Sequence, residues 1–193
     1  MNDQIRAFTR DDVLALLREV GEILVDGGVE ASLYIVGGAA MALEFDTRRI
    51  TRDIDAAVRS GGGEFWTAVA AVAESHGLSP DWVNSRAAAF FSNEPDTDAH
   101  EVTLPGLRIA VASPRHLLAM KLRAMRRRDL DDLEVLFRHL GITSPEQAAA
   151  IHDEFFDDSY MGYFDPKEAL YAAQRVFDRA AARGNPITPD DGR

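Results

Sequence analysis

Two short segments hold the residue types from which chemistry can be built, Gly37-Gly38 and Asp53-Ile54-Asp55. A glycine pair lets backbone approach a ligand closely, and a helix beginning there aims its first N–H groups at an anion. On a strand, side chains alternate, so Asp53 and Asp55 share one face while Ile54 and Ala56 share the other. Two carboxylates side by side repel each other and favour a hard cation between them. Mg²⁺ is the usual choice, bound by one or two carboxylates together with substrate phosphates. Phosphates at Gly37 and Gly38, metal at Asp53 and Asp55, and a nucleotide spanning both make one coherent site.

The neighbouring residues supply elements able to hold these groups. Leu33 to Val36 is a short apolar, β-branched run that reads as a buried strand. Ala39 to Phe45 is rich in helix formers. A basic loop with Arg48, Arg49 and Arg52 then leads to the Asp-bearing strand. The order is strand, glycine turn, helix, loop, strand.

A Gly-Gly turn followed, after the helix and loop, by Thr51-Arg52-Asp53-Ile54-Asp55 resembles the signature of the nucleotidyltransferase (DNA polymerase β-like) superfamily. The form GGAAMALEF…RRITRDIDAAV is most similar to its AbiEii/MenT-type branch of toxins and toxin-like enzymes. The resemblance implies an α/β (α+β) fold: a small mixed sheet flanked by helices, with a helical C-terminal region. It also implies Mg²⁺, as one ion or two, on Asp53 and Asp55, an NTP substrate, and nucleotide contacts from Gly37, Gly38, Thr51 and Arg52. The acceptor implied first is a tRNA 3′ end, within a toxin–antitoxin pair that includes a cognate antitoxin. A protein or small-molecule hydroxyl, or a non-catalytic nucleotide-binding subunit, is the alternative.

The same branch places a helical Lys before an R-x-D-x-x-D-like segment, and Lys121-Leu122-Arg123-Ala124-Met125-Arg126-Arg127-Arg128-Asp129-Leu130-Asp131-Asp132 is similar to it. On one continuous helix Lys121, Arg128 and Asp132 fall within about 20° of a line. Lys121 is one of only two lysines among 21 basic residues. A compact ammonium suits a triphosphate where a guanidinium is otherwise the rule. The resemblance gives Lys121 and Asp132 catalytic roles, and Lys121 and Asp129 contacts to the nucleotide. Asp129 also suits a helix N-cap, and Asp132 a surface pairing with Arg128.

Two departures from the superfamily pattern stand out. No hydroxyl follows the glycines, so Thr51 or backbone N–H groups must take its place. No acid lies between Leu107 and Ala112, where a third carboxylate is expected; Glu101, Asp129 and Asp132 are the substitutes in reach of the chain.

Bulk properties bound the partners. The chain has 193 residues, 46% hydrophobic and 27% charged, as in a globular protein. It has no cysteine, and no apolar run approaches the roughly 20 residues of a membrane span. A cytoplasmic protein without a membrane partner is expected. The net charge of −11 leaves no global footprint for nucleic acid. Locally, Arg115 to Arg128 holds six bases and no acid, whereas residues 129–193 carry 14 acids and 6 bases. An RNA acceptor is therefore expected along Arg115, Arg123, Arg126 and Arg127 and the Arg48/Arg49 loop. Five scattered histidines show no zinc spacing, and neither a Walker A loop nor G-x-S-x-G is present.

The rest of the chain reads as scaffold. Thr9 to Asp12 forms a capping box before a helix that ends at Gly27-Gly28. A second helix runs from Glu64 to Ser75, with Trp66 and Val69 on its core face. Ser79 to Asn84 reads as a turn with a short helical piece, and Arg86 to Ser92 as a strand. A hairpin is centred on Pro105-Gly106, and helices start at Ser113-Pro114, near Asp129, at Ser144-Pro145 and at Asp165-Pro166. Phe155, Phe156, Tyr160, Tyr163 and Phe164 form an aromatic cluster. The expected division is a core over 1–112, a helical region over 113–183 and a flexible tail over 184–193.

Overall fold

A computed structural model describes residues 7–45, 50–92, 94–124, 126–156 and 165–187, with backbone alone for Ala89 and Pro166. The Arg48/Arg49 loop, Met125, the Tyr160, Tyr163 and Phe164 cluster members and the tail from 188 onward lie outside the described residues.

The chain folds as two compact units. The first comprises Met1–Ala89 with Asp98–Ala112 and contains a mixed five-stranded sheet. Its strands are β1 (Ala31–Val36), β2 (Ile54–Ser60), β3 (Val83–Asn84), β4 (His100–Leu104) and β5 (Leu107–Val111). They lie in the order β3-β2-β1-β5-β4. Strand β1 runs antiparallel to β2 and parallel to β5, so it is central and buried almost throughout. That is the burial expected of a continuous apolar run without alternation. In β5, by contrast, Leu107, Ile109 and Val111 are buried while Arg108 is exposed, which is the period-2 pattern of a strand with one wet face. The Pro105-Gly106 hairpin joins β4 to β5, and Gly106 takes φ +66°, a conformation that favours glycine.

Among the described residues this unit has three α-helices, α1 (Arg10–Asp26), α2 (Gly37–Glu44) and α3 (Gly62–His76). The capping box at Thr9 is present in both directions, with Asp12 N–H donating to the Thr9 hydroxyl and Thr9 N–H to the Asp12 carboxylate. In α3 the buried residues are Phe65, Ala68, Val69, Val72 and Ala73. Trp66, expected in the core, is 38% exposed; the i, i+3, i+4 stripe starts one residue earlier, at Phe65. Trp82 takes the core place instead, its indole N–H donating to the Val69 carbonyl. Arg86–Phe90 is a 3₁₀ turn rather than a strand, since Val83 and Asn84 complete the ladder against β2 before it.

The second unit comprises Phe90–Thr97 with Ser113–Arg193. It is helical: α4 (Pro114–Ala124), α5 (Leu130–His139), α6 (Pro145–Phe155) and α7 (Pro166–Ala182). Helix α4 packs on α5, α6 and α7, and α6 packs on α7. Ser144 caps α6, accepting from Gln147 N–H, and Asp165 caps α7, accepting from Lys167 N–H. The mixed sheet with flanking helices and a helical C-terminal region is the architecture expected from sequence. No helix among the described residues is long and apolar enough to cross a membrane.

Candidate functional site

Strand β2 is fixed by what it buries. Ile54 and Ala56 are 0% exposed, which for Ile54 alone stabilises by roughly 1.5–3 kcal/mol. Alternation then puts Asp55 on the opposite face; Asp53, expected on the strand, lies in a bend just before it and is held on that side by Asn84, and both carboxylates are half-buried. The antiparallel register pairs Asp55 with Val36, the last residue of β1. The chain turns into α2 immediately after Val36, so Gly37 meets Asp55. A Cβ added to Gly37 would stand 3.0 Å from Asp55 Oδ2, and one added to Gly38 would stand 2.9 Å from Thr51 Oγ1. Gly37 also has φ +67°, costly for any other residue. Both glycines are therefore required by close approach, and Gly37 by its backbone as well.

Thr51 is 7% exposed, and its hydroxyl donates to the Asp53 carbonyl at 2.9 Å. It also exchanges backbone hydrogen bonds with Phe8 at 2.7 and 2.8 Å, which pins the start of the Asp-bearing segment. Arg52 is exposed.

Sequence reading missed Asn84 and Arg86. Asn84 lies in β3, opposite Asp55 in parallel register, and is 7% exposed. Its amide donates to Asp53 Oδ2 at 3.2 Å and to the Asp81 carbonyl at 3.3 Å. Arg86 stands 4.0 Å from Asp53 Oδ2 and is also paired with Asp81. The one legible signal was an Asn directly after the apolar Trp82-Val83, in a segment that otherwise read as a turn.

The donor chemistry of this face fits a hard cation. Its oxygen donors come from two half-buried carboxylates, one oriented by an amide, beside a glycine turn that a single Cβ would fill. Among the described residues no group of three or more His, Cys, Asp or Glu side chains could hold a metal, so phosphate and water would complete the coordination. Strand β5 contains no acid, and Glu101 lies on β4, three strands from β2 and thus roughly 14 Å away at normal strand spacing. Glu101 cannot share a metal with Asp53 and Asp55.

In the helical unit, Lys121 is 6% exposed and donates to Asp129 Oδ1 at 2.9 Å and Asp132 Oδ2 at 2.6 Å. A second helix does start near Asp129, as expected, so the alignment of Lys121 with Arg128 that one continuous helix would give does not form. Helix α4 stops at Ala124, a 3₁₀ turn follows over Arg127–Asp129, and α5 starts at Leu130. That break turns the chain and brings both carboxylates back onto the ammonium. Asp132 is 2% exposed and its partner is Lys121, not the exposed Arg128. Asp129 sits at the α5 N-cap but makes no side-chain cap bond, because its carboxylate is taken by Lys121. An ammonium has three donors, and two are used here. The role in transfer expected of Lys121 rests on the third.

The bases proposed for a polyanion have separate surroundings. Arg115 pairs with Glu154, Arg123 lies 5.5 Å from the centre of the Phe156 ring, and Arg126 lies 5.0 Å from that of Phe90. Arg127 is exposed and lines a cavity with residues of α7.

A family model described as "Nucleotidyltransferase of unknown function (DUF6036)" matches residues 12–138, more than half of the chain. The match takes in the glycine turn, Asp53, Asp55 and the Lys121 cluster, and ends before α6. No curated protein and no solved structure matches.

Proposed function

Because this chain belongs to the nucleotidyltransferase family DUF6036, we propose that it transfers an NMP from an NTP to an RNA 3′ hydroxyl with Mg²⁺. The proposal includes the tRNA 3′ end as acceptor and the toxin of a toxin–antitoxin pair as context, both resting on the AbiEii/MenT-type resemblance. The observation that supports it is the contact of the Gly37-Gly38 turn with Asp55 and Thr51, on the face that also carries Asp53.

In this reading Asp53 and Asp55 hold the metal, and Asn84 keeps the Asp53 carboxylate turned toward the face. Bound there, Mg²⁺ supplies the positive charge that offsets the phosphates and stabilises the leaving pyrophosphate. The N–H groups at the start of α2 bind phosphate, and the absence of a Cβ at Gly37 and Gly38 gives it room. The Thr51 hydroxyl donates to the Asp53 carbonyl and holds the Asp-bearing segment, so backbone N–H groups take the place of the hydroxyl that the glycine turn lacks. The balance is NTP plus acceptor hydroxyl giving nucleotidylated acceptor, pyrophosphate and a proton.

The test is incubation with each α-labelled NTP, Mg²⁺ and total tRNA, followed by denaturing electrophoresis. Label on tRNA, lost in Asp53→Asn, supports the proposal. Label on protein instead would move the acceptor to a protein hydroxyl. Tight Mg²⁺–NTP binding without turnover on any acceptor would favour a non-catalytic subunit, the reading that the acid-free β5 supports.

A further inference from the structure

The helical unit contains a cavity of about 540 Å³ lined by Arg127, Leu130, Arg175, Asp178, Arg179 and Arg183. Four guanidiniums converge there in a chain whose net charge is −11. Three of them stand at i, i+4 and i+8 along the end of α7, hence on one face of that helix. Residues 129–193 hold only six bases, and half of them are these three. The fourth, Arg127, comes from the 3₁₀ turn before α5.

Ion pairing among the described residues does not absorb this charge. Asp131 takes Arg179 at 2.7 Å and Arg183 at 3.1 Å on the same oxygen, Oδ1. Asp178 accepts from Gln174 at 2.8 Å. Arg127 and Arg175 have no carboxylate partner among the described residues. Among the described residues, four positive charges against the carboxylates of Asp131 and Asp178 leave a net of +2. Arg179 Nη1 is buried with no hydrogen-bond partner among the described residues. A buried N–H left without an acceptor is unfavourable, and a ligand oxygen would relieve it. The negative end of the α7 dipole accounts for bases at Arg179 and Arg183, but not for Arg175 two turns earlier or for Arg127 from another element.

We propose that this cavity binds phosphoryl groups of a polyanion. Guanidinium forks match phosphate oxygens in pairs, and the volume lies in the range of small-ligand sites. The ligand is a phosphate chain, either free, as in a polyphosphate, or as the backbone of single-stranded RNA. Arg175, Arg179 and Arg183 all lie beyond residue 138, outside the family match, so the site belongs to this chain rather than to the family model. It does not depend on the transfer reaction.

The experiment measures binding of the full chain in Mg²⁺-free buffer, by calorimetry with inorganic tripolyphosphate and by anisotropy with a labelled short single-stranded RNA. The double variant Arg175→Gln/Arg183→Gln weakens binding on the order of tenfold or more. Asp131→Asn, which releases two guanidiniums, strengthens it several-fold. Arg183→Gln alone, at an exposed helix end, weakens it in a chain of unchanged Tm. Asp53→Asn leaves it unaltered, which separates this site from the nucleotide site. Binding of tripolyphosphate identifies a free phosphate chain, and binding of RNA alone identifies the backbone of a strand. Failure of both probes to bind the native chain overturns the proposal, as does indifference to the double variant or weaker binding by Asp131→Asn. Any of those results leaves the nucleotidyltransferase reading standing.

Discussion

The two aspartate pairs of this protein do opposite things with the same side chain. Asp53 and Asp55 stand half-buried on a sheet face, with an amide 3.2 Å and a guanidinium 4.0 Å from Asp53. Asp129 and Asp132 are buried and closed on a single ammonium at 2.9 and 2.6 Å. The first pair is only half-buried, so a hard cation could reach it. The second is held by one shared ammonium, which offsets half of its charge and ties α5 to α4. Carboxylate spacing alone does not separate a ligand site from a structural one; the nearest cation and the degree of burial do.

The largest effect should come from breaking the closed pair. Lys121→Ala leaves two buried carboxylates without their cation and is expected to cost about 3–5 kcal/mol of stability, read as a fall in denaturant midpoint. Lys121→Arg should recover part of it. Combining Lys121→Met with Asp129→Asn and Asp132→Asn should restore stability. If that triple variant regains the fold but not transfer, the cluster of Lys121, Asp129 and Asp132 takes part in the reaction. If transfer returns as well, Lys121 is structural only.

The open pair should respond the other way. Asp53→Asn and Asp55→Asn are each expected to lower kcat/KM on the order of 10²-fold or more while Tm hardly moves. A collapse of Tm with activity retained per folded molecule would show that these carboxylates are structural, and the contrast would disappear.

Between these lies Gly37→Ala. A positive φ and a Cβ 3.0 Å from Asp55 Oδ2 together predict a loss of about 1–2 kcal/mol and weaker NTP binding, measured by calorimetry. Asn84→Ala removes the amide that turns Asp53, so its effect should fall on Mg²⁺ dependence. The concentration of Mg²⁺ for half-maximal transfer is expected to rise about tenfold. An unchanged Mg²⁺ requirement would remove Asn84 from the site.

The smallest effect is a pH dependence. His152 is 1% exposed, and burial lowers its pKa below the ordinary value of 6.5, against the opposing pull of Asp153. The folded state therefore takes up its proton at lower pH than the unfolded chain. Its contribution is intact above about pH 6.5 and is lost as pH falls through the folded value. Tm should drop between neutral and mildly acidic pH, and His152→Gln should flatten that drop. An unaltered slope would assign the dependence to other groups.

What the sequence determined by itself was set by local periodicity and local backbone chemistry. Ile54 and Ala56 had to be buried, so Asp55 had to take the other face. Thr9 with Asp12, Pro105-Gly106 and Asp165-Pro166 marked their caps and turn within a few residues. The contact between Gly37 and Asp55 followed once β1 and β2 paired in register. Tertiary structure decided the rest. Lys121 meets Asp129 and Asp132 because the helix breaks after Ala124, whereas an unbroken helix would have aligned it with Arg128. Asn84 reaches Asp53 only because a two-residue strand joins the sheet edge. Arg127 joins Arg175, Arg179 and Arg183 across roughly fifty residues of acidic chain. Periodicity reports which face of an element is apolar, and a cap reports where the element starts. Neither carries the path between elements, and that path decides which charges become neighbours.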